Sequence, residues 1–584
     1  MTEEAETQRR VLILYGSQTG YAKDTAFRIG RQAWRRHFLA TIQALDEADK
    51  WQLFTTPHPV IFICSTTGQG DEPDNMKRFW RFLLRKSIPP NALDTLHFAV
   101  FGLGDSSYAK FNFAAKRLFR RLEQLGAHPL LERGDGDDQH YLGLDGALDP
   151  WLDNLWTLLL QKYPLPEPIV PDHIPPPPSC SLAFVHDSPQ LPQLPPHLLH
   201  AQLVLSERMT SPDHFQDVHR FRLQLPKTLS DDAGWSPGDC AVLRPQNDPG
   251  DVDRFLEQMH WTQNADRPLC ITTQREDPVL PSWVPQTTTL RWLFTHYLDI
   301  TAVPRRSFFE MLYYFSSAEN EKERLYDFTL SEGQDELHTY CMKPRRTIME
   351  ALDDFPNSRV PLSYIFDVFP EIAERYFSIS SAQEETPQAV DLTVAIVKYK
   401  TIMQRPRVGK CTQWLLRLQE GDQVALRLAR GTMHLPPRPE TPVIMVGPGT
   451  GIAAFMAFIR ARIQRGAAAN YLFFGCRSES SDFLYKDQLL EWCRQKLLHL
   501  ECAFSRDQAQ KVYVQHKIRQ RSDLVWSLIN DHNAAVYVSG NANQMPEDVK
   551  QAFMDVVAQH STEAPAEYIQ AMVKSRRYQE ECWY

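Results

Sequence analysis

Two parts of the chain alternate short apolar runs with longer amphipathic stretches, and this alternation limits the folds that the chain can adopt. Near the N-terminus the apolar runs are RVLILYGS, PVIFICST and LHFAVFGLG, with stretches such as DTAFRIGRQAWRRHF and NMKRFWRFLLRK between them. Residues 436–584 show the same pattern from TPVIMVGPGTG onwards. A succession of strand, helix and strand implies a parallel sheet with helices on both faces. In such sheets, ligands bind at the carboxyl ends of the strands.

The middle of the chain, residues 198–435, has a different character. It begins with turn-rich, β-like sequence such as FRLQLP and GWSPGDCAVLRPQN, and β-like sequence returns in RYFSISSA and VDLTVAIVKYK. Between these, at about 250–360, helical runs such as SFFEMLYYFSSAENEKERLYDF interrupt the strands. We predict a β-barrel with a helical insertion.

The length of 584 residues fits three or four domains of roughly 150 residues each. We predict an α/β domain at 8–160, a proline-rich linker at 164–197, the interrupted barrel at 198–435 and a second α/β domain at 436–584. The linker holds many of the chain's 42 prolines and cannot form a regular helix. It is either a passive spacer or a tether for a domain that has to move.

Composition excludes several classes of function. The net charge of −9 argues against a nucleic-acid partner, because nucleic-acid binders usually carry a basic face. The opening MTEEAETQRR is not a signal peptide, and no apolar run approaches the ~20 residues of a membrane span. The ten cysteines form no C-x-x-C pair and no cluster with histidine. We therefore expect a cytoplasmic protein with reduced thiols, no membrane anchor and no metal site.

The first strand leads directly into GSQTGYA, residues 16–22, and then into a helix. Hydroxyls at Ser17 and Thr19, with glycines on either side, place backbone N–H groups at a helix N-terminus, where they can bind phosphate. The lysine and spacing of a P-loop are missing, so a monophosphate fits better than a nucleoside triphosphate. Two further loops, STTGQGDEPDN and FGLGDSSYAKFN, follow strand ends, and Tyr108 in the second can stack on a flat ring. Together they predict a cleft for a planar ring with a phosphate tail.

The stretch GDGDDQHYLGLDGALDPWLD carries six acidic residues and no lysine or arginine. It is either a solvated loop or an acidic rim that steers a positively charged redox partner. The six residues are Asp135, Asp137, Asp138, Asp145, Asp149 and Asp153.

In the third region, RYFS at 375–378 and VGKCTQWL at 408–415 suit a diphosphate. Arginine supplies a forked donor, and the helix start from Gly409 to Thr412 supplies N–H groups. Phe377 adds a flat platform.

The last region opens with VGPGTGIAAF, 446–455, in which glycines turn a strand into a helix, as at a dinucleotide site. Further on, FSRDQAQKVYVQ brings Ser505, Arg506 and Lys511 to a strand end, with Tyr513 beside them. Two cations and a hydroxyl suit a 2′-phosphate, whereas an acidic residue would suit a bare ribose. NADPH is therefore predicted rather than NADH.

These motifs, in this order, resemble the diflavin reductase family, to which the cytochrome P450 reductases belong, over essentially the whole chain. The resemblance implies a flavodoxin-like FMN domain, a ferredoxin-NADP reductase-like FAD barrel with a helical insertion, and an NADP-binding α/β domain. It implies that NADPH reduces FAD, that FAD passes electrons to FMN, and that FMN reduces a protein acceptor. The cofactors would be FMN, FAD and NADPH.

The resemblance also implies site residues. FMN would bind at Ser17, Gln18, Thr19, Gly20, Tyr21, Ala22, Ser65, Thr66, Thr67, Gly68, Leu103, Gly104, Asp105, Ser106, Ser107, Tyr108, Ala109, Lys110, Phe111, Asn112 and Asp138. FAD would bind at Arg345, Arg375, Tyr376, Phe377, Ser378, Gly409, Lys410, Cys411, Thr412 and Trp583. NADP would bind at Thr450, Ser505, Arg506, Lys511, Val512, Tyr513, Val514, Gln515 and Asp548.

Four residues are expected to act around the nicotinamide and the flavin ring: Ser378, Ser539, Glu581 and Trp583. Ser378, Ser539 and Glu581 would form a polar set that orients the nicotinamide and stabilises positive charge on it. Trp583, in the terminal EECWY, would cover the FAD ring and move aside for the nicotinamide.

The particular acceptor is not encoded in these motifs. STTGQGD, GDDQH, Phe377 and the WY end look most like the cytosolic NADPH-dependent diflavin oxidoreductases, which reduce an anamorsin-type iron–sulfur protein in cytosolic Fe–S cluster assembly. The alternatives within the family are a methionine synthase reductase, a sulfite reductase flavoprotein or a soluble P450 reductase. An alternative of another class is a non-catalytic scaffold whose flavin sites have decayed.

Overall fold

The structure, a computed structural model, describes residues 9–68, 70–108, 110–186, 198–226, 234–274 and 280–583. They form two units. The first unit comprises the described parts of residues 1–193 and 247–373, with residues 401–403, and the second comprises the described parts of 194–246, 374–400 and 404–584. Within the predicted domains and linker, residues 8, 69, 109, 187–197, 227–233, 275–279 and 584 lie outside the described ranges, and Ala109 is the one predicted site residue among them.

The first unit begins with a parallel sheet between two helical layers. Its elements are β1 Arg10–Gly16, α1 Tyr21–Arg35, β2 Leu39–Ala44, β3 Val60–Ser65, α2 Lys77–Leu83, β4 His97–Gly104, α3 Phe113–Gln124, β5 His128–Pro129, β6 Gly134–Asp137 and α4 Asp145–Lys162. The strand order is β2-β1-β3-β4-β5, and β6 pairs with the end of β4. Separate apolar clusters cover the two sheet faces, so the central strands are apolar along their whole length.

Part of the proline-rich stretch is structured. The stretch contains one strand, β7 Cys180–Phe184. Three further strands follow it along the chain: β8 Leu199–Arg208, β9 Val218–Gln224 and β10 Cys240–Leu243. The strand β7 lies inside the predicted linker, and Cys180 belongs to the apolar core of the helical insertion. The described portion of the linker is therefore not a simple extended spacer.

The helical insertion belongs to the first unit. Its elements are α5 Pro249–Gln258, β11 Leu269–Thr273, β12 Thr287–Thr288, α6 Leu290–His296, α7 Arg306–Phe315, α8 Glu319–Asp327, α9 Gln334–Leu337, a π-helix His338–Met342, α10 Ile348–Asp354 and α11 Ile365–Val368. Strands β12, β11 and β7 form a small antiparallel sheet. A single aromatic-rich core holds the helices together.

The second unit contains the interrupted barrel. After the insertion come β13 Arg375–Ser378, β14 Ala389–Ala395, β15 Lys398–Lys400, β16 Pro406–Val408, α12 Lys410–Arg417 and β17 Gln423–Ala429. Six strands pair in the order β13-β10-β17-β8-β9-β14, so strands from both sides of the insertion form one antiparallel sheet.

The second unit ends with a parallel sheet of five strands. Its elements are β18 Val443–Val446, α13 Ile452–Gln464, β19 Asn470–Cys476, α14 Lys486–Arg494, β20 His499–Phe504, α15 Val514–Gln520, α16 Ser522–Asn530, β21 Ala535–Asn541, α17 Met545–His560, α18 Pro565–Lys574 and β22 Tyr578–Trp583. The order β20-β19-β18-β21-β22 reverses direction beside β18, which is where dinucleotides bind in open α/β sheets.

Helix α1 carries buried arginines that link the flavodoxin-like sheet to the insertion. Arg28 donates to Asp145 at 2.5 Å and to Asp149 at 2.6 Å, and Arg306 of α7 binds Asp149 at 2.7 Å from the other side. One turn further along α1, Arg31 pairs with Glu310 at 2.7 Å. Although burial opposes it, the two guanidinium groups hold the pKa of Asp149 below its ordinary value.

This network corrects the interpretation of the acidic stretch. Asp145 and Asp149 bind arginines inside the first unit, so they are not part of an exposed rim. Asp135 is paired as well, with Arg133 at 2.6 Å. A steering role is left only for the remaining acidic residues of the stretch.

We predict that Asp149→Asn destabilises the first unit by about 2 to 3 kcal/mol, because, among the described residues, Asp145 is then the one carboxylate left to pair with the two nearly buried guanidinium groups of Arg28 and Arg306. The measurement is the chemical-denaturation midpoint of the full chain. Asp153→Asn is the matched control, because Asp153 is exposed on the same helix. Equal midpoints for the two variants would contradict the prediction.

Candidate cofactor sites

The loop between β1 and α1 has a fixed backbone. Gly20 lies in the left-handed region with φ 89°, and its N–H donates to Ser17 Oγ at 3.0 Å. The N–H of Ser17 donates to Asn75 Oδ1 at 2.8 Å, which ties this loop to the one that follows β3. The first N–H groups of α1 have no intrahelical acceptor, so the loop fits a phosphate group.

The next two loops meet the first at the same sheet edge. In the sheet register Gly16 lies beside Cys64, and Ser65 lies beside Leu103. The N–H of Thr66 donates to the Leu103 carbonyl at 2.9 Å, which joins the loops that follow β3 and β4. The predicted FMN residues that the structure describes therefore lie around one edge, on strand ends, loops and the start of α1.

Asn112 holds the loop after β4 against the end of β6. It is fully buried with φ 52°, and its amide donates to the Gly136 carbonyl at 3.0 Å. A Cβ at Gly104 would come within 2.6 Å of Asn112 Oδ1, so glycine is required there. Beside it, the N–H of Asp138 donates to the Gly104 carbonyl at 2.9 Å. Partial desolvation and the carboxylates of Asp105 and Asp137 raise the pKa of Asp138.

In the second unit, β13 and the start of α12 form the candidate FAD site. Gly409 is the N-cap of α12, and a Cβ there would come within 2.8 Å of Val397. Burial raises the pKa of the Cys411 thiol to about 12, and the nearby Arg375 guanidinium opposes that rise. The Arg375 guanidinium group, which can donate two parallel hydrogen bonds, and the N-terminus of α12 together suit a diphosphate.

The strand β13 itself presents two rings. Tyr376 is 40% exposed and accepts a hydrogen bond from Arg427 at 2.7 Å, whereas Phe377 packs against the barrel core. Arg345, the remaining predicted FAD residue, lies in the first unit with φ 51°. Its FAD role stays a prediction.

In the turn after β18, the backbone packs closely against the end of β21. Gly449 has φ 57°, and Thr450 follows it in a 3-10 turn, Gly449–Gly451. A Cβ at Gly451 would come within 2.1 Å of the Ser539 carbonyl, so only glycine brings the turn against the end of β21. This close packing of a turn on a neighbouring strand fits a dinucleotide diphosphate.

The loop after β20 presents two cations to solvent. Arg506 and Lys511 are exposed, and within the described ranges neither has a carboxylate within 4.0 Å. Ser505 lies at the strand end, where its N–H donates to the Cys476 carbonyl at 3.0 Å. Nearby, Gln515 donates to Asp548 at 3.1 Å, which brings together two more predicted NADP residues. The remaining predicted residues, Val512, Tyr513 and Val514, lead from this loop into α15.

A polar cluster joins the barrel to the last sheet within the second unit. Ser539 on β21 lies beside Glu581 on β22, and Ser378 hydrogen-bonds to the Glu581 carboxyl group. Burial raises the pKa of Glu581, although hydrogen bonds from Thr432 and Ser378 oppose the rise. The buried Oγ of Ser539 has no hydrogen-bond partner among the described residues. An unpaired buried hydroxyl beside a carboxyl group fits a bound polar ligand such as nicotinamide.

Two members of this cluster were missed in the sequence. Thr432 Oγ1 donates to Glu581 at 2.9 Å, and Cys240, which faces Ser378 across the strands, has its Sγ 4.0 Å from Glu581. Cys240 directly follows the GWSPGD stretch, but the local sequence around neither residue indicates that it lies near Glu581.

The C-terminal residues form an edge strand. Trp583 is the last residue of β22, and its carbonyl accepts from the N–H of Ala542 at 2.8 Å. Its side chain is 38% exposed. A large ring left accessible beside this cluster is compatible with the predicted contact to the flavin, which stays a prediction.

Comparison with known proteins identifies the modules. Family models match the chain at residues 13–151 (flavodoxin), 192–414 (FAD binding domain) and 445–551 (oxidoreductase NAD-binding domain). NADPH-dependent diflavin oxidoreductase 1 of Danio rerio is 44% identical, and the match covers 98% of this chain and 99% of the relative. The chain belongs to the NADPH-dependent diflavin oxidoreductases.

Other members of the family match just as completely. The protein of the same name from Mus musculus is 41% identical, and the one from Schizosaccharomyces pombe is 37% identical. Each match covers 98% of this chain and 99% of the relative. The chain is thus an oxidoreductase with FMN, FAD and NADPH as its cofactors.

Within the described ranges, no group of three or more His, Cys, Asp or Glu side chains could hold a metal ion. In the same part of the chain, no helix has both the length and the apolar character needed to cross a membrane.

We predict that the rate of NADPH oxidation falls at low pH as Glu581 becomes protonated. Because burial raises the pKa of this carboxyl group, the fall begins at a higher pH than its ordinary pKa of 4.5 would give. Glu581→Gln should remove this acid limb and lower the rate about tenfold or more, since a negative charge at the expected nicotinamide position is lost. The measurement is the pH–rate profile with a small-molecule electron acceptor.

Glu420→Gln is the control for this prediction, because Glu420 is an exposed residue of the same unit. An acid limb that persists unchanged in Glu581→Gln would contradict the assignment.

Proposed function

We propose that the chain passes electrons from NADPH through FAD and FMN to a protein acceptor. When bound, the two flavins supply the redox chemistry, and the chain supplies position and electrostatics. The observation that carries the proposal is the polar cluster of Ser378, Ser539 and Glu581, because it joins the barrel strand RYFS to the last sheet. A nicotinamide held there would have hydroxyl and carboxyl groups around it.

We further propose the cofactor positions. FMN phosphate binds the loop Ser17–Ala22, and the flavin ring lies between residues 66–68 and Tyr108. Arg375 and the helix start at Gly409 hold the FAD diphosphate. The turn at Thr450 holds the NADPH diphosphate, and Arg506 and Lys511 hold its 2′-phosphate, for which their lack of acidic partners in the described ranges is the support.

Trp583 is proposed to cover one face of the FAD ring and Phe377 the other. Stacking on a flavin would give the exposed Trp583 ring an apolar partner. NADPH needs access to the same face, so the indole has to move aside when the nicotinamide binds.

For the acceptor, we infer an anamorsin-type iron–sulfur protein, and hence a role in cytosolic Fe–S cluster assembly. The support is the resemblance of the flavodoxin-like loops and of the C-terminal WY to the cytosolic members of the family. A cytoplasmic location is proposed with it, because all ten cysteines are free thiols, as expected in a reducing compartment.

We predict that changing both Arg506 and Lys511 to alanine weakens NADPH binding by a factor of about 100 or more and leaves NADH binding almost unchanged. Each cation contributes a charge-assisted hydrogen bond of about 1.5 to 3 kcal/mol to the 2′-phosphate, which NADH lacks. The measurement is kcat/KM for both nucleotides. Arg519 and Lys517 on α15 provide the control pair. An unchanged preference for NADPH would refute the 2′-phosphate assignment.

Stopped-flow reduction of candidate proteins by the NADPH-reduced chain tests the acceptor. An anamorsin-type protein should be reduced in milliseconds to seconds at micromolar concentration, and haem or cobalamin proteins much more slowly. Reduction of a cobalamin or haem partner without reduction of the anamorsin-type protein would refute this acceptor. It would favour a methionine synthase reductase, sulfite reductase or P450 reductase role instead.

A further inference from the structure

The loop between β1 and α1 is contacted from outside by one side chain of the helical insertion. Arg305, immediately before α7, donates to the carbonyl oxygen of Gly20 at 2.8 Å and to that of Thr19 at 2.9 Å. Its guanidinium carbon also lies 4.1 Å from the centre of the Tyr21 ring. A single side chain thus contacts three consecutive residues of this loop, and all four residues belong to the first unit.

These contacts restrain the peptide planes of the loop. A carbonyl and the following N–H belong to one planar peptide group and point in opposite directions. Arg305 therefore fixes the plane that carries the N–H of Gly20 and the plane that carries the N–H of Tyr21. The first of these N–H groups is held by Ser17 Oγ at 3.0 Å. The second begins the helix, where it has no intrahelical acceptor.

The restraint matters because the loop contains glycine in a left-handed conformation. Gly20 has φ 89°, and a free glycine samples many other conformations at little cost. Ordering one residue's backbone costs about 1 to 2 kcal/mol, so a loop already held by Arg305 loses less entropy when it binds a phosphate.

Arg305 also places a permanent positive charge at the loop. A guanidinium group stays protonated at any physiological pH. Within the described ranges, Arg305 has no carboxylate within 4.0 Å. Its charge is therefore available to attract an anion at the loop without any direct contact between the two.

Other contacts between the insertion and the start of α1 do not reach the loop carbonyls. Ser307 Oγ donates to Asp24 at 2.8 Å, and Lys23 pairs with Glu371 at 2.5 Å. Lys23 and Asp24 lie in the first turn of α1, after the loop. They offer a way to weaken the interface without releasing the loop.

We propose that Arg305 is a positioning residue for FMN, through which the insertion completes the phosphate loop of the flavodoxin-like module. Affinity for FMN then depends on this module being seated on the insertion. The inference rests on the proposed binding of the FMN phosphate at Ser17–Ala22. Arg305 itself acts on the loop backbone and not on the cofactor.

The test uses the full chain, depleted of FMN with FAD retained, and titrates it with FMN or riboflavin while flavin fluorescence is followed. Arg305→Ala should raise the Kd for FMN about tenfold, equivalent to about 1.4 kcal/mol. The Kd for riboflavin, which has no phosphate, should change less than twofold. Arg305→Lys keeps the positive charge but loses the two-pronged guanidinium group. Its Kd for FMN should therefore lie between that of the unsubstituted chain and that of Arg305→Ala.

Two controls isolate the loop contact. Ser307→Ala weakens the same interface, and Arg254→Ala removes a largely exposed cation elsewhere on the insertion. Neither should raise the Kd for FMN more than twofold. The retained FAD content and the intermediate Arg305→Lys variant separate a local effect from misfolding.

Three results would overturn the inference: an unchanged Kd for FMN in Arg305→Ala, an equal loss of FMN and riboflavin, or an equal effect of Ser307→Ala. Thr19→Ala together with Ser17→Ala tests the underlying phosphate site. If that double variant weakens FMN and Arg305→Ala does not, only the role of Arg305 fails. If the double variant also leaves FMN binding unchanged, the proposed phosphate site fails with it.

Discussion

Backbone N–H groups at the starts of helices, with no acceptor inside the helix, are the feature on which all three candidate sites depend. Each site places such a helix start directly after a loop or turn that contains glycine. At Gly20 the left-handed backbone makes the turn possible, and at Gly451 the missing side chain lets the turn approach the Ser539 carbonyl. Phosphates and diphosphates are anions that suit these groups, which is why the same kind of backbone site is proposed for all three nucleotide-type cofactors.

Charge pairing gives the first unit a different kind of cohesion from the apolar cores. Helix α1 runs between the flavodoxin-like sheet and the insertion, and its arginines bind acidic residues of both. Paired charges of this kind are directional, so they fix the geometry of the contact. The same interface includes the loop between β1 and α1, where Arg305 donates to the carbonyl groups of Thr19 and Gly20. The loop proposed to bind the FMN phosphate is therefore also a point of contact with the insertion.

The sequence predicts the α/β parts well because their parallel strands are buried on both faces and appear as continuous apolar runs. The glycine-containing loops are predicted for the same reason, since they follow the ends of those strands. What the sequence does not encode locally is which distant side chains face each other. Cys240 and Thr432 reach Glu581 through strand pairing, and Asp149 meets Arg306 across two elements. A proline-flanked segment such as β7 is likewise read as a spacer, because its partner strand β11 comes much later in the chain.

A reductase of this family has to hold FMN, FAD and NADPH in working sites at once. The most direct measurement is the flavin content of the purified full chain, followed by anaerobic titration with NADPH under a spectrophotometer. We expect one FMN and one FAD per chain, and we expect NADPH to bleach the absorbance of both flavins. A colourless protein that takes up neither flavin and fails to oxidise NADPH would contradict this expectation and favour a non-catalytic scaffold.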